Sequence, residues 1–294
     1  MTQDFDYNDA FSRNIGWLTK AEQQVLRKKR IAIAGMGAVG GHHLMTLARL
    51  GVGAFNIADF DEFGQHNFNR QIGAMMSTVG KAKVEVMAGQ VLDVNPEIEL
   101  KSFAEGVLAS NVDEFLNGID IYVDGLDFFA FDARRMVFAE CARRGIPAIT
   151  VAPVGMGAAL LVFMPGGMTF EDYFCWGDSS DQEKALRFAL GLAPAGLHRG
   201  YLVDPTAVSF LHKRVPSTAM GCVLSAGVAA TEVLKIALGR GKVRAVPHGR
   251  HFDAYTGRMV ETWRPGGNRN PLQRIALAIG RRQLIELQSS ELRA

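Results

Sequence analysis

A glycine-rich turn between a short β-branched run and a helical pattern constrains the fold of this chain more than any other feature. Residues 31–34 read Ile-Ala-Ile-Ala, and Gly35, Gly37 and Gly40 follow at once in GxGxxG spacing. Such glycines let backbone N–H groups and a helix N-terminus approach a phosphate closely. A helical pattern and a second strand over residues 54–58 complete one strand–helix–strand unit, whose crossover is expected to be right-handed.

The alternation of strand and helix patterns continues along the chain. Further strands are predicted over residues 98–103, 119–123, 148–152, 158–164 and near 251–253, and further helices over 20–28, 81–93, 112–116, 132–144, 182–192, 221–238 and 272–287. This pattern predicts an α/β fold with a Rossmann-like, doubly wound, mostly parallel sheet, a crossover insertion and a C-terminal extension of helix and strand.

Changes in pattern divide the chain into four predicted segments. They are an N-terminal helical leader (1–30), a nucleotide-binding Rossmann-like domain (31–164), a crossover or substrate segment (165–220) and a C-terminal completion of the fold with a basic helix (221–294). In the leader, Thr19 and Glu22 have the spacing of a capping box, which predicts that a helix begins after Thr19.

Composition excludes several classes of protein. The 294 residues carry 32 Lys+Arg against 30 Asp+Glu, which gives no overall electrostatic case for binding nucleic acid or a membrane. The three cysteines form no CxxC pair, which suits a reducing compartment, and we expect no zinc.

The apolar run 146–164 is interrupted by Pro153 and Gly155, so it predicts two strands rather than a membrane span. The N-terminus is acidic and polar, unlike a secretory signal, and we expect a cytoplasmic protein without a membrane partner.

The glycine turn alone leaves the ligand open. Asp59 ends the second strand about twenty residues after Gly40, where a carboxylate can accept hydrogen bonds from ribose hydroxyls. This pattern fits any dinucleotide-binding fold, including an NAD-dependent oxidoreductase. A tight turn without a ligand is the structural alternative.

The residues after Asp59 favour a triphosphate over a nicotinamide. Arg70 and Lys83 gather positive charge beyond the ribose position, where an ATP triphosphate needs it and hydride transfer does not. Asp127 follows another strand at the same sheet edge, where a carboxylate can hold Mg²⁺ against phosphate oxygens. These residues predict an electropositive cradle for a triphosphate at the carboxyl edge of the sheet.

Taken together and in order, these motifs resemble the ubiquitin-activating-enzyme-like superfamily of ThiF, MoeB and HesA. The matching stretches are Arg13-Asn14, GMGAVG (35–40), Asp59-Phe60-Asp61, Asn67-Phe68-Asn69-Arg70-Gln71, Val79-Gly80 with Lys83, Asp127, and Glu232 with Lys235. The NxNRQ form also resembles relatives that cyclise a carboxylated modification on transfer RNA.

The resemblance implies an adenylyltransferase of the kind that activates ubiquitin-like modifiers, in which a carboxylate attacks the α-phosphate of Mg-ATP and pyrophosphate leaves. The implied nucleotide contacts are Gly35, Gly37, Ala38, Gly40, Asp59, Asp61, Asn67, Asn69, Arg70, Lys83 and Asp127. The implied catalytic residues are Arg13, Arg70, Lys83 and Asp127, with Mg²⁺ on Asp127 and Arg13 supplied by the second subunit of a homodimer. The implied substrate is the C-terminus of a ubiquitin-like or carrier protein or a peptide, with a modified tRNA base as the alternative.

Departures from the family pattern keep further alternatives open. Ala38 replaces a glycine and Phe128 replaces an asparagine, which favours a non-catalytic scaffold with a degenerate ATP site as another hypothesis. Cys175 lies where some relatives keep a nucleophile, although its aromatic neighbours favour a buried thiol of raised pKa. Cys222 opens a helix, a weaker nucleophile candidate, and Cys141 is expected in the core.

The C-terminal helix is basic. Arg274, Arg281 and Arg282 lie on it, and the stretch from Arg264 to the end holds six arginines against two glutamates. The pattern favours a solvated amphipathic face over a surface for RNA, an acidic partner or a membrane.

Overall fold

The computed structural model of the chain describes residues 4–291, with side chains to residue 286. The eight strands are β1 (Arg30–Ala34), β2 (Ala54–Ala58), β3 (Glu99–Phe103), β4 (Ile121–Asp124), β5 (Ala148–Val154), β6 (Gly157–Phe163), β7 (His248–Asp253) and β8 (Arg258–Trp263). The ten α-helices are α1 (Tyr7–Ala10), α2 (Lys20–Arg27), α3 (Gly40–Arg49), α4 (Lys83–Val94), α5 (Val112–Phe115), α6 (Phe131–Arg144), α7 (Phe170–Phe174), α8 (Asp181–Leu192), α9 (Ala219–Leu238) and α10 (Pro271–Glu291).

All eight strands form one sheet in the order β3-β2-β1-β4-β5-β6-β7-β8. The five strands from β3 to β5 run parallel, and β6, β7 and β8 continue the sheet as an antiparallel meander. The predicted doubly wound, mostly parallel sheet is therefore confirmed. The last strand, β8, and the short helices α1 and α7 were not predicted. The division into four segments stays a prediction, although β7 and β8 of the last segment extend the same sheet.

Alternate residues of the strands feed two hydrophobic cores, one on each face of the sheet. On β1, Ile31 and Ile33 face one core, which α3, α4 and α9 cover. Ala32 and Ala34 face the other, which α5 to α8 cover. Strands buried on both sides read as continuous apolar runs, which is why the inner parallel strands β1, β2, β4 and β5 were recognisable from sequence.

The sheet reverses its direction of winding between β1 and β4. The chain leaves β1 toward β2 on one side, whereas β4 pairs with β1 on the other. In open α/β sheets the crevice at such a switch point, outside the carboxyl ends of the strands, is where ligands bind. The loops after β1, β2 and β4 meet there.

The N-terminal segment packs at the opposite end of α3. The predicted capping box is confirmed, since Thr19 and Glu22 exchange their side-chain and backbone hydrogen bonds at the start of α2. The Tyr7 hydroxyl donates to the Gly51 carbonyl at 2.6 Å, and Asn14 Nδ2 donates to the Leu50 carbonyl at 3.2 Å. These bonds fix the segment beside the last turn of α3.

The apolar run 146–164 forms β5 and β6, as predicted, and not a helix. Among residues 4–291, α9 is long and apolar enough to cross a membrane by length and composition alone. It packs on β5, β6 and α3, which is the setting of a core helix.

Candidate functional site

Two glycines of the turn after β1 are required by packing. Gly35 has a φ of +88°, and a Cβ there would lie 2.2 Å from the carbonyl oxygen of Gly125. A Cβ on Gly40 would lie 1.7 Å from the carbonyl oxygen of Gly35. These glycines therefore let the first turn of α3 and the loop after β4 pack directly against the turn.

Gly37 differs, because the protein leaves room beside it. A Cβ there would meet only the Gln71 side chain, at 3.6 Å, which is an ordinary contact. Gln71 is buried, and its Oε1 atom has no hydrogen-bond partner in the structure. Space beside a glycine backbone and an unpaired buried acceptor fit a bound nucleotide, whose hydroxyl or amino group could satisfy that oxygen. Ala38 has no positive φ, so the alanine introduces no backbone strain.

Asp59 holds the turn at the end of β2. Its carboxylate accepts hydrogen bonds from the backbone N–H groups of Met36, at 2.6 Å, and Asp61, at 2.8 Å. Burial raises the pKa of this carboxyl, although both hydrogen bonds oppose the shift. The carboxylate lies against the glycine turn, where the sequence predicted a ribose contact.

Lys83 reaches the same edge but already has a partner. Its Nζ atom lies 3.0 Å from Asp61 Oδ2, and the lysine side chain is 8% exposed against 54% for the aspartate. The helix predicted to begin at Lys81 begins at Lys83, because the Lys81 carbonyl accepts from the Phe63 N–H at 3.0 Å and holds this stretch outside the helix. Lys83 therefore stands on the first turn of α4, beside Asp61.

Arg70 carries a charge without an ionic partner among the described residues. Its Nη1 donates to the His66 carbonyl at 3.0 Å and to Asn69 Oδ1 at 2.9 Å, both neutral acceptors. Asn69 Nδ2 in turn donates to the Ser217 carbonyl at 3.0 Å, which ties this loop to the segment before α9. The Arg70 carbonyl lies 3.2 Å from His42 Nε2 on the first turn of α3. Arg70 is thus held beside the helix N-terminus that the glycines open.

Asn67 is buried in its own loop. It is 2% exposed, and its Oδ1 accepts from the Gly64 N–H at 2.9 Å. The side chain therefore stabilises this loop, and its contact with a nucleotide stays a prediction.

The loop after β4 is organised by a buried ion pair that sequence reasoning missed. Arg134 Nε lies 2.8 Å from Asp124 Oδ2, and both side chains are 2% exposed. The same guanidinium donates to the carbonyls of Leu126 at 2.8 Å, Asp127 at 2.9 Å and Phe128 at 3.2 Å. Arg134 is therefore a positioning residue for the loop that carries Asp127. Its place on α6, ten residues after a strand-ending aspartate, was the only signal in the sequence.

Asp127 itself is exposed at the carboxyl edge. Its Oδ1 accepts from the Phe129 N–H at 2.9 Å, and Oδ2 is without a hydrogen bond among the described residues. Within residues 4–291 no three or more His, Cys, Asp and Glu side chains cluster as a metal site. Mg²⁺ needs only one or two carboxylates when phosphates supply other ligands, so Asp127 fits it as a single protein ligand.

Phe128, where the resemblance implies an asparagine, belongs to an aromatic cluster. Its ring stacks on Phe210 with centroids 5.9 Å apart and contacts Phe188 at 5.3 Å. The substitution joins the loop after β4 to the crossover segment by apolar packing.

Arg13 does not join the other predicted catalytic residues. It is exposed, has no ion pair or side-chain hydrogen bond among the described residues, and follows α1 beside the end of α3. The ten residues of α3 separate this end from the glycine turn by about 15 Å. Within one chain Arg13 is remote from the site.

None of the three cysteines has the setting of an activated thiol. Cys141 and Cys222 are fully buried, and burial raises the pKa of both. Cys175 is half-buried, its thiol donates to the Asp172 carbonyl at 3.2 Å, and burial raises its pKa although Arg269 and Arg187 lower it. The structure gives no support to Cys175 as a nucleophile.

The electropositive cradle stays a prediction, since the charged side chains named for this edge nearly balance within one chain. Arg70 and Lys83 are two cations, whereas Asp59, Asp61 and Asp127 are three carboxylates. The N-terminus of α3 adds roughly half a positive charge. One chain alone is therefore close to neutral here.

A doubly wound α/β fold with a glycine turn, a strand-end aspartate and two basic residues at its switch point defines a protein of the Rossmann-like class. The model of the ThiF family matches residues 11–275. The chain belongs to the ThiF family, and the resemblance noted from its motifs is confirmed.

Curated relatives share parts of the chain. The tRNA threonylcarbamoyladenosine dehydratase of Bacillus subtilis is 35% identical over 150 residues, which are 51% of this chain and 57% of the relative. The sulfur carrier protein ThiS adenylyltransferase of Escherichia coli is 29% identical over 192 residues, 64% of this chain and 74% of the relative. The chain spans about half the length of the dehydratases that it matches.

The solved structure of E. coli MccB with ATP has a TM-score of 0.64 and 20% identity. The match covers 88% of this chain and 73% of that one. This likeness shows a shared fold.

Proposed function

We propose that this chain activates a carboxylate by adenylylation with Mg-ATP. The observation that carries the proposal is the placement of Asp59, Arg70 and Asp127 around one glycine turn with space for a ligand beside Gly37. The name of one relative, the ThiS adenylyltransferase, supports the proposal, and so does the structure of MccB, which was solved with ATP. The site needs little covalent chemistry from the protein, because positioning and charge neutralisation account for most of such a reaction.

The chain's own residues would divide the work as follows. Asp59 accepts hydrogen bonds from ribose hydroxyls, and the N–H groups of Gly37 and Ala38 face the phosphates. Arg70 and Lys83 bind phosphate oxygens, and Lys83 exchanges its Asp61 partner to do so. A substrate carboxylate oxygen attacks the α-phosphorus, the bond between that phosphorus and the bridging oxygen breaks, and pyrophosphate leaves.

Asp127 would hold Mg²⁺, which neutralises charge on the leaving pyrophosphate. Its free Oδ2 and exposed position support this role. The buried pair of Asp124 and Arg134 keeps the loop in place while the metal binds.

A homodimer would complete the site with Arg13 of the partner subunit. Arg13 is exposed and unpaired among the described residues, and it lies about 15 Å from its own glycine turn. A near-neutral edge needs a further cation before it can stabilise a triphosphate.

We propose the cytoplasm as the location of this protein.

The substrate carboxylate is either the C-terminus of a carrier protein or peptide or a carboxylated base of a tRNA. The ThiS adenylyltransferase supports the first by its name, and the dehydratases, together with the NxNRQ form of residues 67–71, support the second. We favour the protein or peptide C-terminus.

Calorimetry with MgATP and with NADH is the first test. MgATP should bind and NADH should not, whereas the reverse result would favour an oxidoreductase. The second test is exchange of labelled pyrophosphate into ATP with candidate carboxylates. Arg70→Ala and Asp127→Ala should abolish exchange, and Arg258→Ala, on the exposed edge strand β8, is the matched control. MgATP binding without exchange by any carboxylate would favour the scaffold hypothesis.

A further inference from the structure

A cavity lies apart from the residues proposed to bind the nucleotide. Its volume is about 850 Å³, and helices α8 and α10 contribute to its walls. Its polar lining residues are Cys175, Arg187, Asn268, Arg269, Arg274 and Arg281. The volume is in the range of sites that bind small molecules or short segments of chain.

The cavity has an excess of positive charge. Glu183 is shared by Arg187 and Arg281, each with an N–O distance of 2.6 Å. Arg269 and Arg274 form no salt bridge with a described carboxylate. Four guanidinium groups line the cavity, whereas the carboxylates near them are Glu183 and Asp172, which interacts with Arg269. Guanidinium groups recognise carboxylates and phosphates through paired hydrogen bonds.

The apolar part of the surface is aliphatic. Leu272, Ile275 and Ile279 are 61%, 59% and 50% exposed, and their spacing places them on one face of α10. Ile275 also lines the cavity. The nearby aromatic rings of Phe174 and Trp176 are fully buried in the core and offer no surface on which bases could stack. This combination matches an acidic peptide with aliphatic side chains better than it matches RNA.

We propose that the arginine cavity and the exposed stripe of α10 bind an acidic peptide segment of a partner protein through its carboxylates and its aliphatic side chains. The binding is separate from the nucleotide chemistry, because none of the residues predicted to bind ATP lines the cavity. Charge complementarity selects the partner, and the aliphatic stripe adds contact area.

Fluorescence anisotropy with a labelled octapeptide of alternating glutamate and leucine tests the proposal. The peptide should bind the full chain, and more weakly as the salt concentration rises. The same peptide with glutamine in place of glutamate should bind at least tenfold more weakly. Arg274→Gln should weaken binding of the acidic peptide at least fivefold, because Arg274 has no salt bridge to lose. Arg282→Gln is the matched control, since Arg282 is also an exposed arginine of α10 but does not line the cavity.

Cysteine labelling gives an independent readout. Cys175 is the partly exposed cysteine of the three, so N-ethylmaleimide should modify it first, and the acidic peptide should slow this reaction. Thermal melting shows that each variant is folded, and Arg269→Gln replaces Arg274→Gln if the latter is not.

Three results would overturn the proposal. They are equal binding of the glutamine peptide, equal affinities of Arg274→Gln and Arg282→Gln, and tighter binding of a single-stranded RNA that displaces the peptide. Arg70→Ala should leave peptide binding unchanged, so failure of adenylylation and failure of this inference are distinguishable.

Discussion

Replacement of Arg134 by methionine tests whether the loop after β4 depends on a buried charge. The guanidinium pairs with Asp124 and donates to the carbonyls of Leu126, Asp127 and Phe128. Methionine keeps much of the side-chain volume and loses all four polar contacts. Asp124 would then be a buried carboxylate without its cation.

The expected loss of unfolding free energy is about 3–5 kcal/mol, the usual cost of removing one partner from a buried ion pair. This loss is a large part of the free energy of unfolding of a natural domain, which is roughly 5–15 kcal/mol. The double variant Asp124→Asn/Arg134→Met should recover more than half of the loss, because no buried charge is left unpaired. It should not recover MgATP binding, because the carbonyls around Asp127 still lack their donor.

Urea unfolding followed by tryptophan fluorescence measures the first quantity, since Trp176 is fully buried. Calorimetry with MgATP measures the second. If Arg134→Met loses less than about 1 kcal/mol of unfolding free energy, the ion pair stabilises the fold no more than an exposed pair does. A double variant as unstable as the single one would show that packing of the arginine, and not charge, stabilises the loop.

Three further predictions follow from the site. Gly37→Ala should fold like the wild type but bind MgATP at least tenfold more weakly. Gly40→Ala should fold poorly, because its Cβ would clash with backbone atoms. Melting curves compare the stabilities of the two variants, and calorimetry compares their MgATP affinities. The variants Arg13→Ala and Arg70→Ala should each abolish pyrophosphate exchange. An equimolar mixture of the two should recover up to a quarter of the wild-type exchange activity, through heterodimers with one intact site. A mixture as inactive as its components would argue against a contribution of Arg13 in trans. His43 is fully buried and its pKa is lowered to about 3, so the unfolded chain binds a proton that the folded chain does not. Lowering the pH from 7 to 5 should therefore cost about 2 kcal/mol of stability through His43, seen in urea titrations and reduced in His43→Phe.

Features that depend on neighbours in sequence were predictable. The glycine turn, the capping box at Thr19 and the aspartate after β2 are each specified within a few residues of chain. Gly145 in the left-handed conformation ends α6, as its sequence position predicted. The inner parallel strands β1, β2, β4 and β5 were predictable because both of their faces are largely apolar, whereas the edge strand β3 is mostly exposed. The strand β8 was missed, since most of its side chains are exposed and its sequence shows no apolar face.

Features that depend on tertiary contacts were not predictable. Arg134 reads as one of several basic residues on a helix, and nothing local shows that it points into the protein toward Asp124. Asn67 carries a family motif, yet the motif does not say that its side chain turns inward to Gly64. Motifs identified which residues gather at the edge, and burial decided which of them can meet a ligand.

The charges at the carboxyl edge are not equally available to a nucleotide. Lys83 is already paired with Asp61, whereas Arg70 donates only to neutral oxygens. With Lys83 and Asp61 paired, a triphosphate meets one available cation, the N-terminus of α3 and the two carboxylates of Asp59 and Asp127, so it would bind weakly unless further positive charge arrives with it. In the proposed function Mg²⁺ on Asp127 would supply part of that charge, and Arg13 of a second subunit would supply the rest. On this argument the near-neutrality of the isolated edge favours the proposed dimer, in which the partner subunit and Mg²⁺ would together balance the charge of the triphosphate.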